Sequence, residues 1–197
     1  MSIDDAVERL TDTKDDINKW VGVYIGVLAV LLAICNVGGA NAAKDAGRSN
    51  LDAANTWAFF QAKTIRRASL AMAADELELQ LAAQPSMPPA ARQAFDAKIK
   101  DYRATVKKLT TDPEKQEGLD ELFAKGKALE AERDVAMRKD PYFDWSQALL
   151  QIAIVLASVH LIIGNMPLLG LSGGLAGLGI LLMLNGFTLL LRLPLLG

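Results

Sequence analysis

The chain has 197 residues, 51% of them apolar and 22% charged, and its 21 Lys+Arg against 23 Asp+Glu leave a formal net charge of -2. That balance excludes the basic surface on which nucleic-acid affinity depends. The charges are also segregated: residues 20–43 and 145–191 hold none, whereas residues 44–144 hold 17 basic and 17 acidic side chains. An uncharged apolar run of about 20 residues is long enough to cross a bilayer, so the composition is that of an integral membrane protein.

Residues 1–19 read as an amphipathic N-terminal segment. Ile3, Val7, Leu10, Ile17 and Trp20 recur near helical spacing, and Ser2 with Asp5 resembles a capping box. A helix lying at the membrane surface is expected. Residues 20–43 form the first transmembrane helix, with Trp20 and Tyr24 at headgroup level. Ala40, Asn41 and Ala42 have the form of a cleavage site, but six acidic against three basic side chains in residues 1–19 oppose a secretory signal, so a retained anchor is expected. Cys35, the single cysteine, lies in this span and can form no intrachain disulfide.

Residues 44–144 form a soluble helical hairpin stalk. No proline interrupts Lys44 to Gln84, so the first helix is expected to continue past the span. Leu51, Ala58, Ile65, Met72 and Leu79 recur every seven residues, the spacing of a coiled-coil seam. Phe59, Ala62, Leu70, Ala73, Leu77 and Leu81 make a second stripe. One hairpin partner covers a single seam, expected to be the heptad one, so the second stripe calls for a helix from a symmetry-related copy. Prolines 85, 88 and 89 mark the distal turn near 85–89. Ala91, Phe95, Ile99, Tyr102, Val106 and Leu109 then spell an amphipathic return helix. A break near 111–113 is expected, with Asp112, Pro113 and Glu114 capping a restart. The arm continues through Leu119, Leu122, Phe123 and Gly126 until Pro141 ends it.

Residues 145–163 form the second transmembrane helix. After a turn at Gly164, Asn165 and Pro167, residues 168–191 form the third, closed by Arg192. The expected fold is therefore all-α: three transmembrane helices with a long antiparallel, coiled-coil-like hairpin stalk between the first and second. Counting Lys and Arg near the membrane ends, Lys44, Arg48, Arg138, Lys139 and Arg192 outnumber Arg9, Lys14 and Lys19, which puts the stalk in the cytoplasm and the N-terminus in the periplasm.

Small residues four apart occur in every span, including Gly22 with Gly26 and Ala153 with Ala157. They are densest at Gly170, Gly173, Gly174 and Gly177, the expected subunit contact in the third span. Leu51, Trp57, Phe59, Phe60, Ile65, Leu70 and Leu77 are the expected oligomer contacts of the stalk. Gln151, His160 and Asn185 are candidates for an intramembrane polar site. His160 is the single histidine, but no span supplies the acid a proton relay would need. Lys63, Arg66 and Arg67 beside Trp57, Phe59 and Phe60 read as a solvated helix face, not a nucleic-acid patch, because the stalk's charges cancel. One His and one Cys in different spans match no metal-ligand spacing or nucleophile and base pair, and no phosphate-binding glycine loop is present. No catalytic, cofactor-binding or metal residue is expected, and enzymatic activity is not.

Two stretches carry a family resemblance: Ala54, Asn55, Trp57, Ala58, Phe60, Gln61, Ala62, Lys63 and Arg66; and Tyr142, Phe143, Asp144, Ala148, Leu149, Leu150, Gln151, Ile152, Ala153 and Ile154. Through them nearly the whole chain resembles the bacterial membrane proteins grouped as the domain of unknown function 4337 family. The resemblance implies a bacterial inner-membrane protein of this architecture and no assigned activity. Three roles follow as expectations: a homo-oligomeric scaffold in the lipid bilayer whose stalk tip meets a partner protein, a pore or transport component, or an accessory subunit of a larger complex.

Overall fold

The computed structural model describes residues 3–191, with side chains from Ile17 onward. The Ser2–Asp5 cap and Arg192 lie outside the described residues, as do the side chains of Ile3, Val7 and Leu10. The described chain is all-helical: α1 (Ile3–Ala83), α2 (Pro89–Thr110), α3 (Leu119–Ile163) and α4 (Met166–Thr188). Three of the four, α1, α3 and α4, are long and apolar enough to cross a membrane. The helices pack as two units, one made of residues up to 46 with those from 134 onward, the other of residues 47–133.

The first unit joins parts of α1 and α3 with α4 around Leu28, Cys35, Ala42, Phe143, Leu150, Ala153, Ala176 and Met183. Small residues let these helices approach closely. Ser146 donates to the Gly179 carbonyl at 2.7 Å and Ser172 to that of Ala153 at 2.7 Å, so rising numbers on α3 meet falling numbers on α4. The turn between them follows helix-capping rules. Gly164, at φ +71, donates its N–H to the His160 carbonyl, and Pro167 enters the first turn of α4, where a missing donor costs little.

Pro141 does not end a helix. α3 runs through it, correcting the expected stop. An interior proline costs about 3 kcal/mol, but the two residues after it, Tyr142 and Phe143, are among the most buried in the chain. Burying one large apolar side chain is worth roughly 1.5–3 kcal/mol, enough for packing to override the local penalty.

In the second unit the covered side of α1 carries Ala53, Thr56, Phe60, Lys63, Leu70, Ala74, Leu77 and Leu81, buried or half-buried at steps of three, four or seven. This corrects the choice of seam. Leu51, Ile65, Met72 and Leu79 are 62%, 68%, 64% and 71% exposed, on the side opposite. The covered side is less greasy but smaller, with Ala53 and Ala74 fully inside, and close approach outweighs side-chain apolarity.

The restart at Asp112 is also displaced. Residues 111–118 form a separate turn, and α3 begins at Leu119. The Asp112 carboxylate accepts from Lys115 N at 3.3 Å and its carbonyl from Gln116 N at 2.8 Å. Gln116 then adopts a left-handed φ of 56, which stops the helix after one turn. Thr111 and the Asp112 N–H reach Asp120 and Glu121 in the first turn of α3 and tie the turn down.

Candidate functional site

The two stretches that carry the family resemblance build two aromatic locks, each seated on glycine. In the second unit, Trp57 presses against Gly126, whose missing side chain makes room: a Cβ there would lie 2.8 Å from Cε2 and Cζ2 of the indole. Phe60 and Phe123 meet Trp57 edge-on, with centroids 5.6 Å away in each case. The indole Nε1 donates to Glu130 Oε1 at 2.9 Å. Lys127, 2.9 Å from the other oxygen of Glu130, holds that carboxyl below the usual carboxylate range, and the indole hydrogen bond adds to the effect. Lys63, from the same stretch, lies over the Phe59 ring and donates to the carbonyl of Glu117. Farther along, Arg103 pairs with Glu78 and Asp75, whose hydrogen bonds raise its pKa above the ordinary value.

In the first unit Phe143 occupies the corresponding role. A Cβ at Gly38 would lie 2.6 Å from Phe143 Cε1 and 2.9 Å from Phe187 Cζ, and one at Gly186 would lie 3.1 Å from Phe143. Phe187 stands edge-on to Phe143 with centroids 4.9 Å apart. The Cys35 thiol, fully buried, donates to the Phe143 carbonyl at 3.4 Å. Just before this lock, burial pushes the Asp140 carboxyl up, and the neighbouring charge of Asp144 adds to the rise.

The expected polar site is not assembled. His160 is buried at the last turn of α3, where its Nδ1 meets the Asn165 carbonyl at 2.9 Å. Asn185 is buried at the end of α4 and closes a ring with one residue: its Nδ2 donates to the Leu191 carbonyl and its Oδ1 accepts from the Leu191 N–H, both at 2.8 Å. Gln151 is exposed midway along the α3 span. The three lie at different heights, and two of them serve as caps.

Of the expected oligomer contacts, Trp57 and Phe60 meet within the chain, and Leu70 and Leu77 lie on its covered side. Leu51, Phe59 and Ile65 face out. Gly170, Gly173, Gly174 and Gly177 are exposed with open space around them. Gly38, Gly126, Gly179 and Gly186 do seat side chains, as does Gly39 against Phe143, and none of them was expected as a contact between subunits. For Gly38, Gly126 and Gly186 the signal is a bulky aromatic of a family stretch, Trp57 or Phe143, which needs a gap to fill; Gly179 faces Leu149 and Leu150 instead.

An all-helical chain with three helices able to span a bilayer is the signature of a membrane protein. The chain belongs to the family described as domain of unknown function (DUF4337), whose model matches residues 17–189 and so takes in both locks. Neither a curated protein nor a solved structure matches it.

Proposed function

We propose that the protein is a non-enzymatic scaffold of the bacterial inner membrane that assembles with copies of itself through an antiparallel helical stalk. The stalk lies on the cytoplasmic side, the N-terminus is periplasmic, and the turn between α1 and α2 meets a partner protein. The antiparallel arrangement is supported by contacts in which numbers rise on one arm as they fall on the other: Trp57 with Phe123 and Glu130, Lys63 with Glu117, Asp75 and Glu78 with Arg103.

One observation carries the self-association. Opposite the covered side of α1, Leu51, Ala58, Ile65, Met72 and Leu79 occupy the same heptad position five times in succession, all exposed. In a coiled coil surrounded by water that position is the most solvated and is normally polar. Removing one such Leu, Ile or Met side chain fully from water is worth roughly 1.5–3 kcal/mol. Small flanking residues, Ala54, Ala62, Ala68 and Ser69, leave room for a neighbouring helix. Light-scattering mass of the detergent-solubilised full chain tests the reading. Ile65→Asp, at a site where nothing in the chain needs the isoleucine, is expected to reduce the particle to one chain with helix content unchanged. An unaltered oligomeric mass in both Ile65→Asp and Met72→Asp, or a wild type already monomeric, refutes it.

A further inference from the structure

In the three-helix unit the buried polar residues of the spans find a partner within the chain, whereas Arg138 Nε, before the second span, is buried without one among the described residues. Ser146, Ser158 and Ser172 donate to backbone carbonyls, Tyr24 meets Ser172, and His160 and Asn185 close on their own turns. Four amides in the spans have no partner among the described residues; Asn41 and Gln147 lie three residues from Lys44 and Asp144, at span ends that water can reach, which leaves two deeper ones. Asn36 on α1 and Gln151 on α3 point outward, and neither has a hydrogen-bond partner among the described residues. Asn36 lies eight residues before Lys44, the first charge after the span, or roughly 12 Å at 1.5 Å per residue. Its short side chain cannot reach the headgroups from there, and acyl chains offer it nothing to bond.

Gly22, Gly26, Ala29, Ala33 and Ala40 share its side of the helix, at steps of four and three through Asn36, and all are exposed. Around Gly22 and Gly26 there is open space where a side chain would stand. Gln151, by contrast, is flanked by the bulky, exposed Ile152 and Val155. The Asn36 face thus combines a polar group that lipid cannot satisfy with a surface narrow enough for another helix backbone to reach it.

We propose that this face of α1 packs in the bilayer against the same face of a second copy lying parallel to it, with the two Asn36 amides hydrogen-bonded to each other. The occupant follows from chemistry and topology. A carboxamide carries both donors and an acceptor, so it is its own complement. Copies inserted in the same direction hold Asn36 at the same depth, and a two-fold axis along the membrane normal brings the two together in register. A single asparagine in a helix seam has this register-fixing effect in coiled coils. The inference rests on the self-association reading but uses a different surface, so the two can fail separately.

Disulfide trapping in native membranes tests it, using the full chain with Cys35→Ser as the parent. Ala29→Cys, Ala33→Cys and Ala40→Cys are expected to give crosslinked dimer on oxidation, at several times the yield of Val27→Cys and Ile34→Cys on another side of α1. Adding Asn36→Leu should lower the Ala33→Cys yield about tenfold, Asn36→Gln should restore most of it, and Gln151→Leu should leave it intact. Equal yields around the helix, no dimer at positions 29, 33 and 40, or indifference to Asn36→Leu overturns the proposal. Ile65→Cys reports on the stalk: dimer at 65 without dimer at 33 refutes the span contact and spares the stalk reading, whereas dimer at neither position refutes both.

Discussion

Substituting Gly126 by alanine should change the sign of its effect according to whether Trp57 is present. In the wild type the new methyl would sit 2.8 Å from two indole carbons, well short of the 3.4 Å at which ordinary contact begins. The indole has little freedom to retreat, being hydrogen-bonded to Glu130 at 2.9 Å and bracketed by Phe60 and Phe123. Overpacking of this kind costs about 1–3 kcal/mol. Against it stands the helix preference for alanine over glycine, about 0.8–1 kcal/mol in a helix interior, and Gly126 lies inside α3. The net expectation is a loss of about 1 kcal/mol, near the low end of a shift of 2–4 °C per kcal/mol for a chain of this size. With Trp57→Leu as the background the clash disappears and the propensity remains, so Gly126→Ala should raise the midpoint. Thermal melts of the four full-length proteins in one detergent, followed by helical circular dichroism, complete the cycle. The same sign in both backgrounds would show that glycine is not there to seat the indole.

Gly38→Ala should be costlier, at about 3 kcal/mol, because its methyl would meet both Phe143 and Phe187. Phe143→Leu should recover part of the loss in the same melts. Lowering the pH should release Trp57 from Glu130. The folded-state pKa of that carboxyl is depressed, by Lys127 first and the indole next, so the stabilisation is complete above its unfolded value and vanishes as pH falls through the folded one. Trp57 fluorescence in a Trp20→Phe, Trp145→Phe protein should change below the normal carboxylate range, and no such change should occur with Glu130→Gln.

The spans were legible because charge is expensive in hydrocarbon and its absence over residues 20–43 and 145–191 is a plain signal. The distal turn was legible for a similarly local reason: three prolines within 85–89 leave a helix no way to continue. Local rules failed where a distant residue decided the outcome. Pro141 reads as a stop until Tyr142 and Phe143 are seen buried beside it. Asp112, Pro113 and Glu114 are a sound capping sequence, and they do start a turn; nothing local announces that Gln116 will take a left-handed conformation and Leu119 begin the helix instead. His160 and Asn185 looked like membrane polar groups in search of a function because their partners are backbone atoms, invisible in a list of side chains.

The exchange of seams on α1 has a more general cause. Hydrophobic periodicity ranks faces by apolarity, and by that measure Leu51, Ile65, Met72 and Leu79 outrank a side that includes Thr56, Lys63 and two alanines. A close helix pair is limited by volume as well as by apolarity. Ala53 and Ala74, 3% and 0% exposed, allow the neighbouring arm to approach until Trp57 can fill the notch at Gly126, and Lys63 keeps its ammonium at the edge, by the Glu117 carbonyl, while its stem lies along the seam. Thr56 satisfies its hydroxyl on the Asp52 carbonyl of its own helix, so its burial leaves no donor stranded. The large side chains would hold two arms apart at such a distance. They remain on the outside of α1, on the side that the proposed self-association would cover.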